Sequence, residues 1–180
     1  MKNKKGKFIV IEGNDASGKS TQVNFLIKYL KSKKVPVKTL DFPRYYDSFF
    51  GKFIAGYLRG EYGQLSEVNP YLITFPYALD RASAKDKIQN WLKKGNYLVF
   101  NRYATTNFAH QSGRLAKKER EKFIDWNKEF EYKINKLPKE DKVIFLHMQY
   151  KVSMKIMNTE NRKDRQYTKG KKKDMVEKNI

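Results

Sequence analysis

Residues 13–21, Gly13-Asn14-Asp15-Ala16-Ser17-Gly18-Lys19-Ser20-Thr21, contain a full G-x-x-x-x-G-K-[ST] motif, and no other stretch constrains the chain as strongly. Phe8 to Ile11 before it is a short apolar, β-branched run that reads as a buried strand. The motif therefore lies where a strand passes into a helix. Its glycines let the backbone turn tightly, so that successive N–H groups point inward at phosphate oxygens. A helix beginning near Ser20 adds the positive end of its dipole. Lys19 is placed to reach the β- and γ-phosphates, and the Ser20 hydroxyl to ligate Mg²⁺. An accidental Gly/Ser/Lys loop is the competing account, and the strand before and helix after set it aside. The motif predicts binding of a nucleoside triphosphate.

The helix that follows is expected from Ser20 to Lys34, with Val23, Leu26, Ile27 and Leu30 on one face. Val35-Pro36 breaks it, and Val37 to Phe42 reads as a second strand. Strand, helix and strand joined by short turns imply a right-handed parallel crossover and an α/β fold. Arg44 falls just beyond the second strand, at the edge where ligands bind such sheets, although a surface Arg in a turn has the same signature. Phe49, Phe50, Phe53, Ile54, Tyr57 and Leu58 form a helical stripe expected in the core. Residues 60–69 read as loop, and 70–94 as one long helical region with Gly95 as its stop. Within it Tyr77 and Arg81 stand four apart, a spacing that suits a flat base as well as it suits a core Tyr beside a surface Arg–Asp pair. Tyr97 to Phe100 is the third strand, and Asn101-Arg102-Tyr103 follows at the ligand edge. Thr106, Asn107, His110 and Gln111 come next; His110 has neither a second His nor an obvious carboxylate partner, which argues against a metal or acid–base role. A long amphipathic helix carrying Phe123, Trp126, Phe130 and Ile134 runs to Pro138, and Val143 to Met148 is the fourth strand. Ser153 is expected to cap a short helix with Met154 and Met157. The basic run at 160–173 is either a solvated loop or a lid that brings cations over phosphates. Asp174 to Ile180 begins a helix that stops without a cap or a completed face, as in a chain cut short.

One domain over residues 1–180 is the simplest division. The absence of cysteine excludes disulfides and thiolate zinc sites. The apolar run after the N-terminal lysines is too short for a signal peptide and no stretch is long enough to span a membrane, so a soluble cytoplasmic protein is expected. The net charge of +20 invites a nucleic-acid reading. The lysines are scattered over expected solvent faces with no stacking-aromatic motif, which favours a lysine-rich surface around an anionic-nucleotide site instead.

Taken in order, Glu12 to Thr21, Phe42-Pro43-Arg44, Tyr77 with Asp80-Arg81, Asn101-Arg102-Tyr103, Thr106-Asn107 and His110-Gln111 resemble the thymidylate (dTMP) kinase family over essentially the whole chain. The resemblance implies a P-loop kinase fold: a parallel sheet, five-stranded in the family with the last strand missing here, flanked by helices. It implies ATP and Mg²⁺ as cofactors, dTMP as acceptor, and a homodimer. In that family's pattern Asp15 accepts a bond from the deoxyribose 3′-hydroxyl, and Arg44 and Arg102 hold the acceptor phosphate. Tyr77 stacks on thymine and Arg81 donates to a thymine carbonyl. Leu58, Thr106, Asn107 and Gln111 line the base pocket, with Phe42, Pro43 and Tyr103 counted among the acceptor-site residues. Asn101 replaces the family's Asp near the metal, so it is at most an outer-shell partner of an ion held by Ser20. Ala16 stands where some members carry a catalytic Arg, which transfers that role to lid residues Arg162 and Arg165, beside Lys19 and Arg102. A kinase for another pyrimidine monophosphate, or a nucleotide-binding protein with weak or no transferase activity, remains open.

Overall fold

The computed structural model describes residues 5–64 and 67–159. The lid candidate at 160–173, with Arg162 and Arg165, lies outside the described residues. Four parallel strands, β1 (Phe8–Gly13), β2 (Val37–Lys38), β3 (Tyr97–Asn101) and β4 (Lys142–Leu146), form one sheet in the order β2-β3-β1-β4. Phe8 pairs with Leu98 and Ile11 with Asn101 on one side of β1, while Gly13 pairs with Leu146 on the other. From β1 the chain leaves toward β2, and from β3 it leaves the opposite way toward β4. The carboxyl ends of β1 and β3 thus flank the crevice where open α/β sheets bind ligands.

Alternation along the strands sets two cores. Phe8, Val10, Leu98 and Phe100 face one side with Phe42, Ile88, Tyr103 and Phe108. Ile11 and Val99 face the other, against Val23 and Leu30 of α1 (Lys19–Ser32), with Leu26 and Ile27 half-buried beside them. The predicted α1 face is therefore the one that packs. A third cluster, Ile54, Tyr57, Leu58 and Ile73, joins α2 (Phe49–Arg59) to α3 (Pro70–Ala82).

Several expectations need correction. The second strand is shorter than Val37–Phe42, because beyond Lys38 only an Asp41–Asn101 bridge continues the ladder. The 70–94 region is two helices, α3 and α4 (Lys85–Lys93), divided at Ser83-Ala84, where the Ser83 hydroxyl donates to the Asp80 carbonyl at 2.9 Å. The α2 stripe is core only in its second half: Phe49 and Phe53 are 78% and 38% exposed. After α5 (Ala104–Gly113), the helix α6 (Lys117–Lys128) widens into a π-helical turn at Glu129–Ile134. Of the predicted stripe Phe123 is buried as expected, but Asn127 and Glu131 share its buried face in place of the other members. Trp126 and Phe130 instead stack on each other and meet Phe75 of α3. Ser153 is not a cap, since α7 (Tyr150–Thr159) already begins at Tyr150. Among the described residues β4 is a sheet edge, with Val143, Ile144 and Phe145 exposed.

Candidate active site

The phosphate loop joins β1 to α1. Glycine is required at position 13, where a Cβ would stand 2.6 Å from the Leu146 carbonyl oxygen and 2.7 Å from Ser17 Oγ. Gly18, at φ +82°, turns the chain into α1 in a left-handed conformation that glycine adopts without steric cost. Buried Lys19 folds back over the loop and donates through Nζ to the carbonyls of Gly13 (3.0 Å) and Asn14 (2.6 Å). Two more distant contacts hold the loop's shape: Asn14 Nδ2 donates to the Met148 carbonyl at 3.0 Å, and Ser153 Oγ donates to the Asp15 carbonyl at 2.6 Å. Neither role was visible in the sequence, because both partners come from the far end of the chain.

The turn after β3 brings Arg102 to this loop. Arg102 has φ +65°, and its Nη2 donates to Asp15 Oδ1, which also lies 4.0 Å from Lys19 Nζ. Arg102 Nη1 is 3.4 Å from His110 Nε2. His110 keeps a solvent-open edge, but the packed protein around it, and then the Arg102 charge, lower its pKa to about 4, so the imidazole is neutral at pH 7. Asp15, Lys19, Ser20, Asn101, Arg102 and His110 are thus gathered at one end of the sheet. Glu12, left without a role by the sequence, is buried behind them and binds Tyr103 and Thr106.

The candidate base-pocket residues lie on α2, α3 and α5. Leu58 is core, and Tyr77 is half-buried against its cluster. Asn107 is buried, with neither amide atom hydrogen-bonded. Gln111 Oε1 accepts from Arg114, which also donates to Tyr57 and to the Val68 carbonyl. Other assigned residues have partners within the chain. Tyr103 is wholly buried beside Phe8 and Phe42, where its hydroxyl donates to the Pro138 carbonyl and burial raises its pKa, so it is a core residue rather than a cleft wall. Phe42 is core for the same reason, and Pro43 follows it, half-buried, in the bend beyond β2. Arg44 is held by Asp80: its backbone N–H and Nε both bond the carboxylate, and Nη2 bonds the Asp80 carbonyl and Ser83. Arg81 is no surface residue either. It is 2% exposed, with its guanidinium on Glu131 and the Tyr103 carbonyl.

For the metal, Asn101 Nδ2 donates to Ser20 Oγ at 3.3 Å, while its Oδ1 is buried without a hydrogen bond. The Ser20 hydroxyl at the start of α1, with the Asn101 amide beside it, is an oxygen ligand of the kind that Mg²⁺ prefers while retaining waters. Among the described residues no cluster of His, Cys, Asp or Glu offers another metal site, and no helix is long and apolar enough to cross a membrane.

A family model described as thymidylate kinase matches residues 11–179. The chain is 41% identical over 112 residues to the thymidylate kinase of Plasmodium falciparum (isolate 3D7), covering 62% of this chain and 51% of that protein. It is 34% identical over 138 residues to the thymidylate kinase of Mycobacterium tuberculosis (strain CDC 1551 / Oshkosh), covering 77% and 64% respectively. These alignments span about half to two thirds of the relatives' length, 51% and 64%. A solved thymidylate kinase structure from Candida albicans superposes with a TM-score of 0.65 at 24% identity, covering 97% of this chain and 76% of that one, a likeness of fold.

Proposed function

The chain belongs to the thymidylate kinase family, and from that premise we propose that it transfers the γ-phosphoryl group of ATP to dTMP, giving dTDP and ADP. The observation that carries this reading is the Asp15–Arg102 bond, which ties the phosphate loop to the arginine-bearing turn after β3. In this mechanism an oxygen of the dTMP phosphate attacks the γ-phosphorus in line, and the bond to the β,γ-bridging oxygen breaks. No general base is needed, because the nucleophile is already anionic; positioning and cations do the work. The backbone from Gly13 to Thr21 wraps the ATP phosphates, and Lys19 turns from the loop carbonyls toward them. Arg102 exchanges Asp15 for the acceptor phosphate, and Asp15 then accepts the 3′-hydroxyl. Tyr77, with Leu58, Thr106, Asn107 and Gln111, receives thymine. Arg44 and Arg81 serve through Asp80 and Glu131, fixing the helices that frame the pocket. Ser20 and, in the outer shell, Asn101 would hold Mg²⁺, whose charge offsets that of the phosphates. Family likeness extends the reading to closure by Arg162 or Arg165, to a homodimer and to a cytoplasmic location.

The test is ADP release across a panel of nucleoside monophosphates. ADP formation that depends on dTMP is the expected result. Preference for another pyrimidine monophosphate would move the acceptor, and ATP hydrolysis indifferent to any acceptor would overturn the transferase reading.

A further inference from the structure

Glu12 is 4% exposed, and its carboxylate makes three bonds into the segment after β3. Oε1 accepts from the backbone N–H of Tyr103 and of Thr106, both at 3.1 Å, and Oε2 accepts from the Thr106 hydroxyl. Helix α5 has no acidic residue in its first turn, and its N-cap, Tyr103, offers no side-chain bond. Glu12 therefore supplies from β1 both the acceptor and the negative charge that a helix start favours. Arg102 sits immediately before this capped end, at φ +65°, and its own N–H donates to the Ile11 carbonyl at 3.1 Å. Two successive residues of β1 thus grip the chain at Arg102 and just after it. A non-glycine residue stays left-handed only where its surroundings fix it.

We propose that Glu12 is a positioning residue: it holds the Arg102 turn and so aims that guanidinium at the acceptor phosphate. The aim toward a phosphate rests on the kinase reading above; the grip on the turn does not. The side-chain length, more than the charge alone, is what the grip requires.

The experiment compares amide hydrogen exchange over residues 102–106 and equilibrium binding of dTMP and of ATP in the parent, Glu12→Ala, Glu12→Asp and Glu12→Gln. For Glu12→Ala, exchange at Tyr103 and Thr106 and the Kd for dTMP should each rise about fivefold or more, as for loss of one helix cap, with the Kd for ATP within about twofold. Glu12→Asp keeps the charge but withdraws the carboxylate by one methylene, so it should repeat this pattern even if the alanine variant does not fold. Glu12→Gln keeps Oε1 in place and should restore both readouts. Unchanged exchange at Tyr103 and Thr106 in Glu12→Asp would overturn the proposal. So would equal loss of both nucleotides with exchange raised throughout the sheet. A parent that binds no dTMP would count against the kinase reading alone, since the exchange comparison still decides whether Glu12 grips the turn.

Discussion

Asn101 donates its amide to Ser20 and leaves its carbonyl oxygen buried without a hydrogen bond. A carboxylate there would release the Ser20 oxygen from a competing donor and add a negative charge beside the proposed Mg²⁺. Outer-shell partners of this kind are worth about 10–100-fold in metal affinity or activity. Asn101→Asp is therefore expected to lower the Mg²⁺ concentration at half-maximal ADP formation by about tenfold, with a smaller gain at saturation; superimposable titrations would mean that Asn101 only closes the turn. The residues that anchor this end of the sheet were unevenly legible. Gly13, Lys19 and Ser20 could be read directly, because a phosphate loop is local backbone chemistry. Tyr103 misled, because a polar run after a strand looks like a ligand edge, and nothing nearby shows that Phe8 and Phe42 close over its ring. Arg81 misled similarly: its partner Glu131 is fifty residues away. Leaving either charge of such a buried pair alone costs about 3–5 kcal/mol.

At the scale of elements, helix and strand order followed from periodicity, but which face is buried did not always. The aromatics at 123, 126 and 130 read as a core stripe, and Phe123 is indeed buried, yet Asn127 and Glu131 join it in the interior, where Glu131 meets Arg81, and the π-helical turn carries Ile134 out to 66% exposure. The strand β4 carries an equally local apolar signal and is an edge among the described residues, with Phe145 60% exposed. Exposed, flat, apolar edges template pairing with other chains, and a lysine on such an edge opposes it. Phe145→Lys should slow aggregation of this 180-residue chain on warming, followed by light scattering, while shifting unfolding by only about 0.5 kcal/mol, as exposed substitutions do. A large loss of stability would show that Phe145 is covered.

For the whole molecule, 39 basic against 19 acidic side chains give +20 at pH 7, and this excess repels itself in the compact state. Salt shortens the reach of that repulsion to about 8–10 Å near physiological ionic strength. Raising sodium chloride from low to physiological levels should therefore raise the melting temperature, by roughly 2–4 °C for each kcal/mol relieved in a chain of this size. Scanning calorimetry would check it, and a falling melting temperature would show that attractive pairs outweigh the excess. The bond between Asp15 and Arg102 has a different reach. On the proposed kinase reading it lets the triphosphate side and the acceptor side share one ion pair, so an anion that draws Arg102 away would change the charge left on the phosphate loop. Filling one subsite would then alter the affinity of the other, and thermodynamic linkage would make that influence equal in both directions. Heterotropic coupling of that kind would need no moving domain, because a single carboxylate would carry it.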